Sequence, residues 1–208
     1  MQAHDVDEPE FWENIYKSQS SPGWDVGQPA PPFVALLTGD SLPPPGKIAV
    51  LGCGKGHEVA LFADHGFDVV GVDFAPSAIR DARGRLQREN LKAELLQQDI
   101  FSLPNEHQSH FDYVLEHTCF CAINPVRRSE YVQLVQTILK PAGTFIALFF
   151  ARPPRSGPPF GTTKKEIRLL FEPAFEISTL HVATNSIEGR QDRELFAIMK
   201  LREDMKIE

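Results

Sequence analysis

Three cysteines in 208 residues, Cys53, Cys119 and Cys121, are too few for a disulfide framework of the kind that staples small secreted domains. Positive charge is also short: 21 Lys and Arg stand against 28 Asp and Glu, a formal net charge of −7. That excludes a broad cationic surface, on which affinity for duplex nucleic acid largely rests. Long hydrophobic runs are missing too. The longest apolar stretch, Phe145 to Ala151, falls far below the ~20 residues of a membrane helix. Met1 to Glu10 is acidic and lacks the basic and apolar regions of a signal peptide. No repeat or low-complexity tract is present. What remains is globular composition, 42% hydrophobic and 24% charged. The expectation is one α/β domain over residues 1–208, cytoplasmic and monomeric, taking a small-molecule substrate and neither nucleic acid nor membrane as partner.

Prolines punctuate the chain at 29–32, 43–45 and 153–159, where helices and central strands are disfavoured. Before the second cluster, Glu8–Lys17 and Pro32–Leu37 suit short helices, the first with Trp12 and Tyr16 one turn apart. After it the pattern alternates. Strands are expected at Lys47–Leu51, Asp68–Val72, Leu95–Gln98, Phe111–Leu115 and Gly143–Phe150. Helices are expected at Gly56–His65, Pro76–Glu89, Pro125–Leu139 and Thr163–Phe171. Phe175–Ala183 and Arg193–Leu201 suit a closing antiparallel pair. Alternating strands and helices imply a mainly parallel sheet covered on both faces. A ligand would then lie beyond the carboxyl ends of the strands.

Three segments at those strand ends carry chemistry. Val50-Leu51-Gly52-Cys53-Gly54-Lys55-Gly56 runs from strand through a glycine turn into a helix, which lets backbone approach a ligand closely. Its glycines stand first, third and fifth, with His57 sixth, whereas a dinucleotide site wants the sixth place. Asp73 closes the apolar run Val69-Val70-Gly71-Val72, about twenty residues beyond Gly52, where an acid can accept from both ribose hydroxyls. A methyl donor or NAD would satisfy it equally, and a helix cap is the structural alternative. In Gln98-Asp99-Ile100-Phe101, Asp99 can accept from an adenine amine while Ile100 packs on the ring. The glycine spacing resembles motif I of class I S-adenosylmethionine-dependent methyltransferases more closely than an NAD site.

A narrower resemblance follows from Phe11-Trp12-Glu13-Asn14-Ile15-Tyr16 and Trp24-Asp25-Val26-Gly27-Gln28-Pro29. Gly52–Glu58, Cys119-Phe120-Cys121-Ala122-Ile123-Asn124-Pro125 and Gly157-Pro158-Pro159-Phe160 continue it. Together these segments resemble the thiopurine S-methyltransferase superfamily, which includes thiol and halide methyltransferases. The resemblance implies a Rossmann-like, seven-stranded, mainly parallel sheet with helices on both faces. It also implies an N-terminal lid (residues 1–40) over a core (residues 47–208).

The implied cofactor is S-adenosyl-L-methionine, leaving as S-adenosyl-L-homocysteine. Its implied contacts are Trp12, Tyr16, Trp24, Gly52, Asp73, Asp99, Ile100 and Glu116. Tyr16 stands where tryptophan is frequent. Aromatic faces suit the donor's sulfonium cation independently of any resemblance. Glu116 and His117 would follow the fourth strand at the substrate mouth. His117 can receive a thiol proton, Arg128 can attract the resulting anion, and Phe120, Phe160 and Arg190 would bind the acceptor. His117 stands where halide-type members carry tyrosine, which turns the expectation toward thiols. Cys119 and Cys121 read as small apolar packing, not metal ligands, since no second ligand pair exists. His57, Glu58 and the arginines of 80–88 read as turn and solvent-face residues. The expected reaction is methyl transfer to a small soft nucleophile, a thiol before a halide, thiocyanate or sulfide. An NAD-linked oxidoreductase and a non-catalytic donor-binding regulator remain as alternatives.

Overall fold

A computed structural model describes residues 6–39, 43–153 and 155–203. The ends of the expected lid, residues 1–5 and 40, lie outside the described residues, as does Pro154 of the third proline cluster. In chain order the elements are α1 (Pro9–Ser18), α2 (Pro31–Thr38), β1 (Lys47–Leu51), α3 (His57–Asp64), β2 (Asp68–Asp73), α4 (Pro76–Glu89) and β3 (Glu94–Gln97). They continue with β4 (Phe111–His117), α5 (Arg128–Ile138), β5 (Leu139–Phe150), α6 (Lys164–Phe171), β6 (Phe175–Val182) and β7 (Glu194–Leu201). Seven strands form one sheet in the order β3-β2-β1-β4-β5-β7-β6. All pairs are parallel except those of β7 with β5 and β6.

Period-two alternation explains why the sheet is covered twice. Along β5, Phe145, Ala147 and Phe149 face α5 and α6, where Tyr131, Val135, Ile138 and Phe171 complete one core. Ile146 and Leu148 face the other way, joining Phe33 of α2, Val59 and Phe62 of α3 and Ile79 and Leu86 of α4. Each such fully buried side chain contributes roughly 1.5–3 kcal/mol. Helix starts follow the sequence signals: Pro9, Pro31 and Pro76 open α1, α2 and α4, and the Thr163 hydroxyl accepts from the Glu166 N–H ahead of α6.

Three boundaries differ from the sequence reading by two residues or more. Pro125–Arg127 forms a separate 3₁₀ turn capped by the Asn124 side chain, so α5 begins only at Arg128. β5 begins four residues before Gly143, because Leu139 already pairs with Phe111 ahead of a register shift. β4 runs two residues past Leu115, through Glu116 and His117. The last extension decides where both of those side chains point.

Candidate active site

The carboxyl ends of β1, β2, β3, β4 and β5 border a cavity of about 580 Å³, in the range of a drug-sized ligand site. Gly52 and Gly54, at the turn after β1, both have positive φ, 59° and 53°. A Cβ on Gly52 would lie 3.0 Å from Cys119, and one on Gly54 would lie 3.2 Å from the Tyr16 hydroxyl. Glycine is therefore required twice, by conformation and by close approach.

Asp73 reaches this turn from the end of β2. One carboxylate oxygen accepts from the Gly54 N–H at 3.0 Å and the other from the Ala75 N–H at 2.9 Å. Burial pushes its pKa up to about 6 against the lowering effect of those two N–H groups. Each oxygen retains a lone pair toward the cavity, which Asp73 lines. Asp99 follows β3 and caps a 3₁₀ turn by accepting from the Phe101 N–H at 3.0 Å. Asp99, Ile100 and Phe101 all line the cavity.

The roof is aromatic. Trp12 and Trp24 meet edge-to-face at 5.4 Å between ring centroids, and Tyr16 and Trp24 at 5.6 Å. The Trp24 indole N–H donates to the Tyr16 hydroxyl at 3.3 Å, and that of Trp12 donates to the Val6 carbonyl at 2.8 Å. Glu13, one position after Trp12, accepts from both the N–H and the hydroxyl of Ser77. It thereby ties α1 to the first turn of α4, whose backbone N–H groups need acceptors. The arrangement fits an adenosyl sulfonium donor: an acid for the ribose, an acid beside the adenine position, a close glycine turn and π-faces for the cation. Trp12, Tyr16, Trp24, Gly52, Asp73, Asp99, Ile100 and Arg190 are thus brought to one cavity.

Five expected site residues are placed elsewhere. Glu116 is 0% exposed; its carboxylate accepts from the Phe120 N–H at 3.0 Å and the Tyr131 hydroxyl at 2.9 Å. Burial pushes its pKa up to about 7. It clasps the loop after β4 instead of meeting the donor, because β4 continues through it and alternation turns it toward α5. Phe120 follows that loop into the same core, against Tyr131, Phe149 and Phe171. Phe160 packs behind the roof with Trp12, Ala75 and Ala78. Arg128 is 4% exposed. Its guanidinium pairs with Glu166, donates to the Gly161 carbonyl at 3.1 Å and lies 4.6 Å over the Phe120 ring. Its two terminal nitrogens are engaged by those partners, which brace the segment ahead of α6, while its Nε is buried without a partner among the described residues.

His117 turns to the opposite face of the sheet from Glu116. It borders a small cleft of about 40 Å³ with Gly54, Lys55 and Thr118, not the main cavity. Its Nδ1 lies 3.0 Å from Glu58, and its Nε2 lies 3.8 Å from Glu194 and 3.2 Å from Arg190. Burial opposes the charged ring, yet Glu58 and Glu194 outweigh it and push the pKa up to about 9. Both ring nitrogens are engaged by these neighbours, away from the main cavity, so the ring is not placed to take a proton from a thiol there. His57 and Glu58 are likewise buried, not solvent-facing. His57 meets Asp25 at 2.9 Å and Glu58 accepts from the Ala30 N–H at 3.1 Å.

The cavity also takes residues the sequence reading passed over. Cys119 and Cys121 line it as well as packing, and Phe120 between them points the other way, so alternation within the motif was the available signal. Arg127, one residue before the expected Arg128, lines it with its guanidinium 3.6 Å from the Phe101 ring centroid. Phe150 and Arg152 line it from the end of β5. Nothing in the sequence separated Arg152 from other loop arginines.

Comparison with known proteins agrees with this geometry. Residues 7–207 match the family model for thiopurine S-methyltransferase. The chain is 33% identical to a probable thiol methyltransferase 2 of Arabidopsis thaliana, over 78% of this chain and 71% of that protein. It is 30% identical to thiocyanate methyltransferase 1 of the same plant, over 92% of this chain and 84% of that protein. Among solved structures, one from work on converting a disulfide bond into a thioacetal group during echinomycin biosynthesis superposes with a TM-score of 0.80. It is 18% identical and covers 95% of this chain and 94% of that one. A Burkholderia thailandensis 1,6-didemethyltoxoflavin-N1-methyltransferase with bound S-adenosylhomocysteine superposes at 0.62, with 18% identity, over 85% of this chain and 73% of that one. These two likenesses carry the fold. Sequence and site together show an S-adenosylmethionine-dependent methyltransferase, and the chain belongs to the thiopurine S-methyltransferase family.

Proposed function

We propose that this enzyme methylates the sulfur of a small thiol. The observation that carries this reading is the lack of a proton acceptor for the substrate. No histidine lines the cavity among the described residues, and its carboxylates are Asp7, Asp73 and Asp99. Asp7 is ion-paired with Arg127, and the other two receive backbone N–H groups on the donor side. An alcohol or amine needs a positioned base. A thiol does not, because a few per cent is already thiolate near pH 7 and the thiolate is intrinsically nucleophilic.

Bound S-adenosylmethionine supplies an electrophilic methyl: the thiolate sulfur forms the new C–S bond while the sulfonium C–S bond breaks, its electron pair staying on the donor sulfur. The chain's own residues do the rest. Gly52, Asp73, Asp99 and Ile100 hold and orient the donor. Trp12, Tyr16 and Trp24 face the cation and keep water away, and the thiol proton goes to solvent before attack. Alignment of the reactants, not acid–base chemistry, is the protein's main contribution. Iodide and thiocyanate are soft anions that the same surface would admit, and one relative is named for thiocyanate.

The reading extends to a monomer of one domain, with an N-terminal lid that includes residues 6–39, acting in the cytoplasm on small molecules. It is supported by the net charge of −7 and by the lack, among the described residues, of any helix long and apolar enough to cross a membrane. The test is a methyl-transfer assay offering thiophenol, iodide, phenol and aniline with the same donor. Thiophenol turnover is expected, with iodide slower. Robust methylation of phenol or aniline with no sulfur or halide activity would overturn the reading.

A further inference from the structure

The cavity wall carries six charged side chains among the described residues: Asp7, Asp73, Asp99, Arg127, Arg152 and Arg190. Their placement is not even. Asp73 ends β2 and Asp99 follows β3, whereas Arg152 follows β5 and Arg190 lies between β6 and β7. In the order β3-β2-β1-β4-β5 the ends of β2 and β3 lie three and four strand spacings from that of β5, roughly 14 and 19 Å at about 4.8 Å per spacing. The cavity therefore has one end, used by the donor, where Asp73, Asp99 and the Asp7–Arg127 pair lie, and another where only Arg152 and Arg190 carry charge among the described residues.

Two of the three arginines are already compensated. Arg127 is held by Asp7 and Glu130. Arg190 is held by Glu194 and by the Trp24 carbonyl. Arg152 has neither an ion pair nor a hydrogen bond among the described residues, and its Nε is buried without a partner. Its guanidinium carbon lies 5.6 Å from the centroid of the Phe150 ring, with that of Arg190 at 5.9 Å from the same ring. A buried donor left unmade is costly, and native structures seldom keep one without a use.

The backbone fixes this position. Ala151 pairs with Thr162 and donates to the Arg193 carbonyl at 2.7 Å. The Arg152 carbonyl lies so close to Gly161 that no side chain fits there. Arg152 is thus a placed, uncompensated cation beside Phe150 and Arg190, at the end of the cavity away from Asp73 and Asp99.

We propose that the acceptor carries a fixed negative charge separate from its reacting sulfur, a carboxylate, and that the Arg152 guanidinium receives it over the face of Phe150. The proposal rests on the thiol reading and narrows it to mercapto acids. A guanidinium suits this task because its planar fork matches a carboxylate with two parallel N–H donors.

The test compares 3-mercaptopropanoate with its methyl ester in the wild-type enzyme and in Arg152→Gln and Arg152→Lys. The ester thiol ionises more readily, lacking the nearby negative charge, so a preference for the acid cannot come from thiol acidity. The wild type is expected to favour the acid at least tenfold in kcat/KM. Arg152→Gln should erase the preference, Arg152→Lys should retain part of it, and affinity for S-adenosylhomocysteine should stay unchanged in both. Equal use of acid and ester by the wild type overturns the proposal. So does a loss of S-adenosylhomocysteine binding in Arg152→Gln with the preference intact, which would assign Arg152 to the donor's own carboxylate. If neither thiol is methylated, the thiol reading fails, and calorimetry decides the charge separately. Binding of 3-(methylsulfanyl)propanoate to the S-adenosylhomocysteine complex, lost in Arg152→Gln, supports the anion subsite; no binding overturns it.

Discussion

The Arg190 guanidinium donates to the Trp24 carbonyl at 2.6 Å across 166 positions of sequence, while its other terminal nitrogen holds Glu194 at 3.2 Å. One buried side chain thus fastens the aromatic roof to β7. Glu194 also faces His117, which faces Glu58, which accepts from Ala30 just before α2. The N-terminal segment is therefore held twice by one ionic chain running through the sheet's β4–β7 side, and a third time by Glu13 on Ser77.

Removing the first fastening should loosen the roof before it unfolds the protein. Arg190→Ala is expected to cost ~1–3 kcal/mol, the range for leaving a buried partner unsatisfied. Hydrogen exchange over residues 8–24 should accelerate more than over β5, and bound S-adenosylhomocysteine should restore part of the protection. Equal acceleration in both segments would mean that Arg190 serves global stability alone.

As the proposed ribose acceptor, Asp73 would link donor affinity to pH. Its carboxyl titrates at about 6 in the fold against 3.8 when unperturbed. Between those values the folded chain takes up a proton that the unfolded chain does not, so the donor-free protein gains stability as pH falls from about 6 to 4. Donor binding runs the other way, since ribose hydroxyls need the ionised acceptor. Affinity for S-adenosylhomocysteine should fall about tenfold from pH 7.5 to 5, the factor given by one unit below the pKa. Asp73→Asn should bind weakly at both pH values, and a wild-type affinity flat with pH would remove Asp73 from the donor site.

The sheet, and the placement of Gly52 and Asp73 beside the cavity, were legible because each rests on a short-range signal. Asp68–Val72 and Pro76–Glu89 are an apolar run and a proline-opened amphipathic helix, and Gly52 and Asp73 stand at strand ends by sequence order alone. The acceptor side failed at the point where parity matters. Ending β4 at Leu115 left Glu116 and His117 in a loop, free to face substrate. Two more paired residues, Glu116 with Ala147 and His117 with Leu148, send them to opposite faces. Arg128 failed by one residue for a similar reason: the 3₁₀ turn at Pro125–Arg127 sends Arg127 to the cavity and Arg128 to Glu166. The ionic chain has no local sequence pattern, because Glu58, His117 and Glu194 lie tens of positions apart.

Without a cavity base, thiol turnover should track thiol ionisation. kcat/KM for a thiol of cysteine-like acidity is expected to rise tenfold per pH unit from about 6.5 to 8 and to level near the thiol's own pKa, about 8.5. Iodide, with no proton to lose, should show no such rise. A thiol profile that levels near pH 7 would instead reveal an enzymic base.

His117 separates a catalytic from a supporting role. As a base it would matter for thiols and not for iodide, so His117→Phe would change the ratio of the two activities. As an imidazolium between Glu58 and Glu194 it matters equally to both, by keeping α2 and the Arg190 anchor in place, and the ratio of kcat/KM values should stay constant while both fall. Stability supplies the second readout. Its pKa is raised from 6.5 to about 9, so its contribution is complete below about pH 6.5 and is lost as pH climbs through 9. Glu58 and Glu194 are shifted down by the same partner; their share is present above the ordinary carboxylate range and is lost in acid. A rise of about 2.5 units corresponds to an upper bound of ~3 kcal/mol. Wild-type unfolding free energy should therefore decline between pH 7 and 10, and His117→Phe should be destabilised at pH 7 but approach the wild type at pH 10. Two carboxylates left facing each other account for the residual gap. A constant difference between the two proteins across that range would place His117 outside the ionic chain.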